Sequence, residues 1–301
     1  MKFNAYLPVG NVTPGQFQSK QAIKEMVTAL EKAKFAICCV TDHPAPSSAW
    51  LHASGHDALD PFTALAVAAA YSESLLLQTN ILVLPYRNPF ITAKAATTLQ
   101  VLSDNRFIMG VGTGYQKEEF DALGIDFHKR GKLTDEALQT LAQIWRGGSI
   151  VAEGLNFNAV GNEPRPTPAV PPKIWIGGSS AKAMERAAKA DGWCPFFSVP
   201  RLTQSNQDTG IHTAKDLQEK IEQLRTMRSE VGNSPECEIT VAPALRLKSI
   251  ESPETERYIE QLIEMKSAGV TCATVYLPHP SRASYLENIQ WFKEVVVPQL
   301  G

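Results

Sequence analysis

Four short stretches of this 301-residue chain carry side chains whose types and spacing could do chemistry. Asp42 and His43 stand together directly after an apolar run, Ala36 to Thr41. Imidazole changes charge nearest neutral pH, and an adjacent carboxylate can orient it, so the pair reads as a general acid or base with its orienting group. The bland alternative is a polar turn before Pro44. Next, His52 and His56 have an H-x-x-x-H spacing that could place two imidazoles on one helical face as metal ligands. A metal-dependent barrel hydrolase would use them with His43. No carboxylate follows the first histidine as in H-E-x-x-H, and Gly55 among Ser, Ala and Asp favours a loop, so no metal is expected.

The other two stretches are glycine-rich. Gly110-Val111-Gly112-Thr113-Gly114 is not a dinucleotide fingerprint, because Tyr115 stands where G-x-G-x-x-G needs glycine. Its missing Cβ atoms would let a flat ring or a ribityl-type chain lie against backbone; the alternative is a tight turn. Gly177-Gly178-Ser179-Ser180 lies between a strand pattern and a helical pattern, where free N–H groups and the positive helix end would meet an anion. Alternatively, Ser179 or Ser180 simply caps the helix.

The elements that must position these residues alternate along the whole chain. Apolar runs at 3–7, 36–41, 75–84, 107–111, 173–176, 192–196, 238–242 and 271–276 are separated by helical patterns. Ile23, Met26, Val27 and Leu30 form one apolar stripe, and Ile91, Ala95, Leu99 and Leu102 another. Leu133, Ala137, Leu138, Leu141 and Ile144 form a third; Leu217, Ile221, Leu224 and Val231 a fourth. Eight such units predict an α/β fold, a (β/α)₈ TIM barrel in a single domain over 1–301, with a doubly wound open sheet as the alternative. Two segments break the rhythm: the glycine- and proline-dense 146–172, and the polar 197–215, expected to be mobile. Both are read as insertions over the barrel. In a barrel the active site gathers at the C-terminal strand ends, and Asp42-His43 and both glycine-rich stretches fall there.

Composition narrows the function. Lys plus Arg number 29 against 31 Asp plus Glu, a net charge of −2, with no block of like charges, so neither nucleic acid nor a membrane surface is an expected partner. No apolar run is long enough to span a bilayer, and Met1 to Tyr6 enters a strand pattern without a secretory h-region. The five cysteines include no C-x-x-C pair and read as reduced thiols, so a cytoplasmic location and a small-molecule substrate are expected.

Ordered words extend over most of residues 1–195: Val40-Thr41-Asp42-His43-Pro44, the stretch Thr79 to Pro89, Leu102 to Gly114, Glu118-Glu119-Phe120, Pro171 to Gly178, and Asp191-Gly192-Trp193. With them the chain resembles the bacterial luciferase-like flavin and deazaflavin oxidoreductases, nearest the branch described as coenzyme F420-dependent. The resemblance implies the barrel, a flavin-like ring across the strand ends, and a non-proline cis peptide at Asn80-Ile81. It implies ring contacts from His43, Asn80, Ile81, Gly112 and Thr113, with Gly114 in the same turn. The phosphate falls to Gly177, Gly178 and Ser179, with Ser180 beside them. A homodimer through the helices after strands 2 and 3 (62–71 and 91–102) is likewise expected.

The implied reaction is hydride transfer between coenzyme F420 and a small organic substrate. His43 would move the proton and Asp42 would orient it. Trp50, Tyr86, Tyr115 and Phe196 would line the substrate space. The alternatives are an FMN-dependent monooxygenase using O₂ and a partner flavin reductase, and a non-catalytic flavin-binding barrel. The last strand ends in Tyr276-Leu277-Pro278-His279, without the basic clamp of sugar-phosphate dehydrogenases in this superfamily. Only Arg246, Lys248 and Arg282 could approach, so a neutral, partly apolar substrate is expected.

Overall fold

A computed structural model describes residues 1–53, 55–198, 209–251 and 253–301. Among these, eight parallel strands close on themselves: β1 (Lys2–Tyr6), β2 (Ile37–Val40), β3 (Leu76–Thr79), β5 (Phe107–Gly112), β8 (Lys173–Gly177), β9 (Gly192–Cys194), β10 (Glu238–Val241) and β11 (Cys272–Val275). The pairing of β3 with β5, Leu77 opposite Phe107, completes the ring and excludes an open sheet. Residues of β2 and β11 are buried throughout, as expected for strands covered on both faces. Inside, Asn4 bridges Gln78 and Thr274 across the barrel.

The third apolar run is not one strand. It divides into β3 and the two-residue β4 (Leu82–Val83), because the chain turns at a cis Asn80–Ile81 peptide. The Asn80 N–H still donates to the Val40 carbonyl at 2.7 Å, while β4 pairs with β5 at Val111 and Gly112.

Helices cover the strands. Helix α1 (Lys20–Lys32) starts at Ser19, whose hydroxyl accepts from the Ala22 N–H, and buries the expected Ile23, Met26, Val27 and Leu30. Short α2 (Ser48–Ala53) and α3 (Pro61–Ala70) follow β2. Helix α4 (Pro89–Leu102) departs from its predicted stripe: Leu99 is buried, but Ile91 and Leu102 are 66% and 68% exposed. Small residues Thr92, Ala93, Ala96 and Thr97 face inward instead, since they let the helix approach its neighbours closely.

Beyond β5 come α5 (Lys117–Ala122) and α6 (Arg130–Arg146), which buries Leu133, Ala137, Leu141 and Ile144. The 146–172 insertion contains an antiparallel hairpin, β6 (Ile150–Glu153) with β7 (Asn158–Asn162). Helices α7 (Ala181–Ala187), α8 (Ala214–Glu230), α9 (Thr255–Ser267) and α10 (Arg282–Trp291) complete the outer layer. Val231, expected on the buried face of α8, is 47% exposed, and Arg228 takes the inner place by donating to the Ala187 and Ala190 carbonyls. Within the second insertion, residues 199–208 lie outside the described residues.

Candidate functional site

A cavity of about 360 Å³ opens where the strands end, in the size range of small-molecule sites. Asp42, His43, Asn80, Ile81, Gly112, Thr113, Gly114, Gly177, Gly178, Ser179 and Ser180 all border it, together with Tyr115 and Phe196. Sequence positions far apart in the chain thus meet on one face, because each follows a strand of the same barrel.

The glycines are packed against Ile81 and its neighbours. A Cβ on Gly112 would come within 3.0 Å of Ile81 Cγ2, and one on Gly177 within 2.9 Å of Ile81 Cγ1. A Cβ on Gly110 would lie 2.2 Å from the Thr79 carbonyl oxygen, and one on Gly114 2.6 Å from Val83. The missing side chains make room for Ile81 and its neighbours, and Ile81 is left as a narrow apolar floor between two strand ends.

At one end of this floor stand α6 and α7. Thr134, Ser180, Ala183 and Arg186 line the cavity here. The Gly178 N–H, expected to be free for an anion, donates to the Cys194 carbonyl at 3.1 Å. Ser179 Oγ is engaged with the Phe196 backbone, and Ser180 Oγ accepts from the Ala183 N–H as the cap of α7. In the first turn of α7 the Ala183 N–H is taken by Ser180 Oγ and the Met184 N–H by the Ser180 carbonyl, so the Ala181 and Lys182 amides are the ones left without a helical acceptor. Arg186 adds positive charge from the same helix, its guanidinium held by Asp135 at 2.6 Å and by the Gly131 carbonyl.

At the other end His43 enters from β2. Its Nδ1 lies 3.2 Å from Glu119 Oε2 and 3.0 Å from Gln116 Nε2. Glu119 is fully buried at α5 and also accepts from the Ala45 N–H and the Tyr86 hydroxyl. Asp42 does not orient His43. Its carboxylate is bound bidentately by Arg87, both contacts at 2.7 Å, and accepts from the Val83 N–H. That arrangement ties the end of β2 to the turn after β4, because a nearly buried carboxylate needs donors on both oxygens.

The expected substrate aromatics divide. Tyr115 and Phe196, both 47% exposed, border the cavity. Trp50 packs on the outer side of His43, ring centroids 4.5 Å apart. Tyr86 is buried behind His43, its hydroxyl given to Glu119; burial, then the Glu119 charge, push its ionisation well above the usual tyrosine range. Helix α2 ends before His56, leaving His52 exposed while His56 packs edge-on to His43 at 5.1 Å. Among the described residues, no three His, Cys, Asp or Glu side chains gather as metal ligands.

Arg246 lies over the Tyr276 ring at 3.4 Å, Arg282 is bound to Glu25, and Lys248 is exposed. Tyr276 itself borders the cavity, with Asn80 Nδ2 3.4 Å from its hydroxyl. The sequence reading gave no role to Gln116, Glu119, Thr134, Arg186 or Tyr276. Glu119 stood within a matched word, but nothing linked it to a histidine 76 positions earlier.

Known proteins resemble this chain in sequence and in fold. In Mycobacterium tuberculosis, an F420-dependent hydroxymycolic acid dehydrogenase is 29% identical over 183 residues, covering 59% of this chain and 49% of that protein. A phthiodiolone/phenolphthiodiolone dimycocerosates ketoreductase of Mycobacterium sp. is 27% identical over 197 residues, covering 63% and 47%. The chain therefore spans about half the length of these curated relatives. Among solved structures, an F420-dependent secondary alcohol dehydrogenase holding an F420–acetone adduct superposes with a TM-score of 0.77 at 16% identity, over 100% of this chain and 99% of that one. The FMN complex of the oxygenating constituent of 3,6-diketocamphane monooxygenase from Pseudomonas putida gives 0.72 at 16%, over 100% and 99%. These likenesses show the fold. The profile of the luciferase-like monooxygenase family matches residues 1–264, and with it the strand-end cavity finds its place: this chain belongs to that family of flavin- and deazaflavin-dependent oxidoreductases.

Proposed function

We propose that this protein moves a hydride between coenzyme F420 and a small neutral alcohol–carbonyl pair, with His43 moving the accompanying proton. The observation that carries the reading is the order of features along one cavity. An anion-suited end at α7 and Arg186 is followed by the flat Ile81 floor, and then by a histidine whose Nδ1 is held on a buried carboxylate.

These residues fit the group. A ring would rest on Ile81, for which Gly112 and Gly177 leave room between the strand ends. Its phosphate would be held at the first turn of α7 by the amides that lack a helical acceptor, with the Arg186–Asp135 pair beside it. Relatives with identities of 27–29% bear the names of an F420-dependent dehydrogenase and a ketoreductase, which favours the deazaflavin and an alcohol–ketone interconversion.

When bound, the ring supplies a two-electron site that accepts or gives a hydride. The protein does the rest. In alcohol oxidation, His43 Nε2 takes the hydroxyl proton as the hydride leaves the carbon, and the product is a carbonyl; in reduction the same nitrogen returns the proton. Tyr115 and Phe196 give an apolar surround that suits an uncharged substrate. Asn80 and Tyr276 provide polar contacts at the rim.

The test uses a panel of secondary alcohols, ketones, aldehydes and enones with the matching redox form of F420. His43→Asn retains a hydrogen-bond donor, so cofactor affinity should stay within a few-fold while turnover falls about 10²- to 10⁴-fold, the usual contribution of a positioned acid or base. Equal turnover by the two proteins at saturating cofactor would remove His43 from the chemistry.

A further inference from the structure

We infer that Glu119 is the positioning residue for His43: it holds the proton of the neutral imidazole on Nδ1 and leaves Nε2 bare toward the cavity. The inference rests on the reaction proposed above for its functional meaning, but not for its geometry.

A donor count on Glu119 leads to this tautomer. This carboxyl group is fully buried and its Oε1 accepts from the Ala45 N–H at 3.2 Å. Its Oε2 accepts from the Tyr86 hydroxyl at 2.9 Å and lies 3.2 Å from His43 Nδ1. Burial and the Glu119 charge keep the Tyr86 phenol protonated, so it remains a donor. A carboxyl group already receiving two hydrogen bonds is built to be a carboxylate, which can only accept. The remaining neighbour must then donate, so the Nδ1 of His43 carries hydrogen.

Gln116 Nε2 lies 3.0 Å from the same nitrogen. A half-turn of the amide brings its oxygen there instead, so that the one Nδ1 hydrogen is shared between Glu119 and Gln116. This leaves Nε2, which has no protein partner among the described residues, as the acceptor facing the site.

The consequence is directional. A bare Nε2 receives a proton from a substrate hydroxyl without any prior rearrangement, whereas an Nε2–H imidazole can only donate. The proton moves from the substrate oxygen to Nε2 as the hydride leaves carbon, giving an imidazolium whose Nδ1–H still faces the Glu119 carboxylate. The logic is that of a carboxylate-oriented histidine base, where replacing the carboxylate by its amide selects the wrong tautomer.

Nitrogen-15 NMR of histidine-labelled, cofactor-free protein tests the assignment directly, since protonated and bare nitrogens of neutral imidazole resonate far apart. The His43 signals are identified by their loss in His43→Asn. Under mildly alkaline conditions the wild type should show hydrogen on Nδ1. In Glu119→Gln the equilibrium should shift toward Nε2–H, and turnover should fall about 10³- to 10⁴-fold with cofactor affinity within a few-fold of wild type. Glu119→Asp should restore the wild-type tautomer and part of the activity. Hydrogen on Nε2 in the wild type, or an unchanged tautomer in folded Glu119→Gln, overturns the inference. Since the spectrum needs no substrate, failure of the proposed reaction would appear separately, as absent turnover beside an intact Nδ1–H signal.

Discussion

At the scale of single residues, the site rests on two carboxylates whose roles are exchanged relative to their positions in the chain. Asp42 adjoins His43 but belongs to Arg87, while Glu119, far along the chain, belongs to His43. His56 adds a titrating neighbour. Burial holds its imidazolium below the ordinary histidine range; a hydrogen bond of its own backbone opposes this, the charge of His43 beside it lowers it further, and Asp57 and Glu119 oppose more weakly. The unfolded chain therefore takes up a proton that the folded chain resists. This contribution to stability is fully present above the unfolded value of about 6.5 and declines as pH falls below it, levelling off beneath the lower folded value. Urea midpoints measured from pH 7.5 down to about 5 should fall for the wild type and flatten for His56→Gln; parallel curves would show that His56 is as freely protonated folded as unfolded. Of this residue-level chemistry, His43 was legible because its type and its place after a strand both pointed to the site. Glu119 was not, because a hydrogen bond across 76 positions leaves no spacing signal, and the eye is drawn to the adjacent Asp42 instead.

Among elements, the strand ends define the floor. Seven of the eight apolar runs became single strands close to their expected bounds, because runs of buried residues between glycine- or proline-bearing turns have few alternatives. The third run divided at Asn80–Ile81, where apolar character continues unbroken and periodicity carries no mark of the turn. The α4 stripe failed for a related reason: its inward face is small and partly polar, so hydrophobicity alone pointed to the wrong side. The glycines of the floor permit a sharp test. Gly177→Ala places a methyl group 2.9 Å from Ile81 Cγ1 and should push Ile81 upward, costing about 1–3 kcal/mol of stability and weakening cofactor binding tenfold or more. Ile81→Ala in the same chain removes the obstructing atoms and should recover at least half of the lost stability. Purely additive effects of the two changes would mean that the glycine serves something other than Ile81.

For the whole molecule, the closed barrel accounts for how residues from β2 to β11 face one cavity, and eightfold alternation in the chain was enough to foresee it. No helix among the described residues is long and apolar enough to cross a membrane. We propose that the molecule is a homodimer through α3 and α4, whose outer surface keeps Ile91, Val101 and Leu102 exposed. Light scattering at micromolar concentration should give twice the 32.9 kDa chain mass, reverting to one chain in Ile91→Glu/Leu102→Glu; a wild-type monomer would contradict it. We propose that the ring over Ile81 is the deazaflavin. Titrating the purified protein separately with coenzyme F420 and with FMN, and following ring fluorescence, tests it most directly. The predicted result is saturable binding of F420 at least tenfold tighter than that of FMN, a difference of about 1.4 kcal/mol or more. Tight binding of FMN with little or none of F420 would contradict it and turn the same cavity toward oxygen chemistry with a flavin reductase as partner.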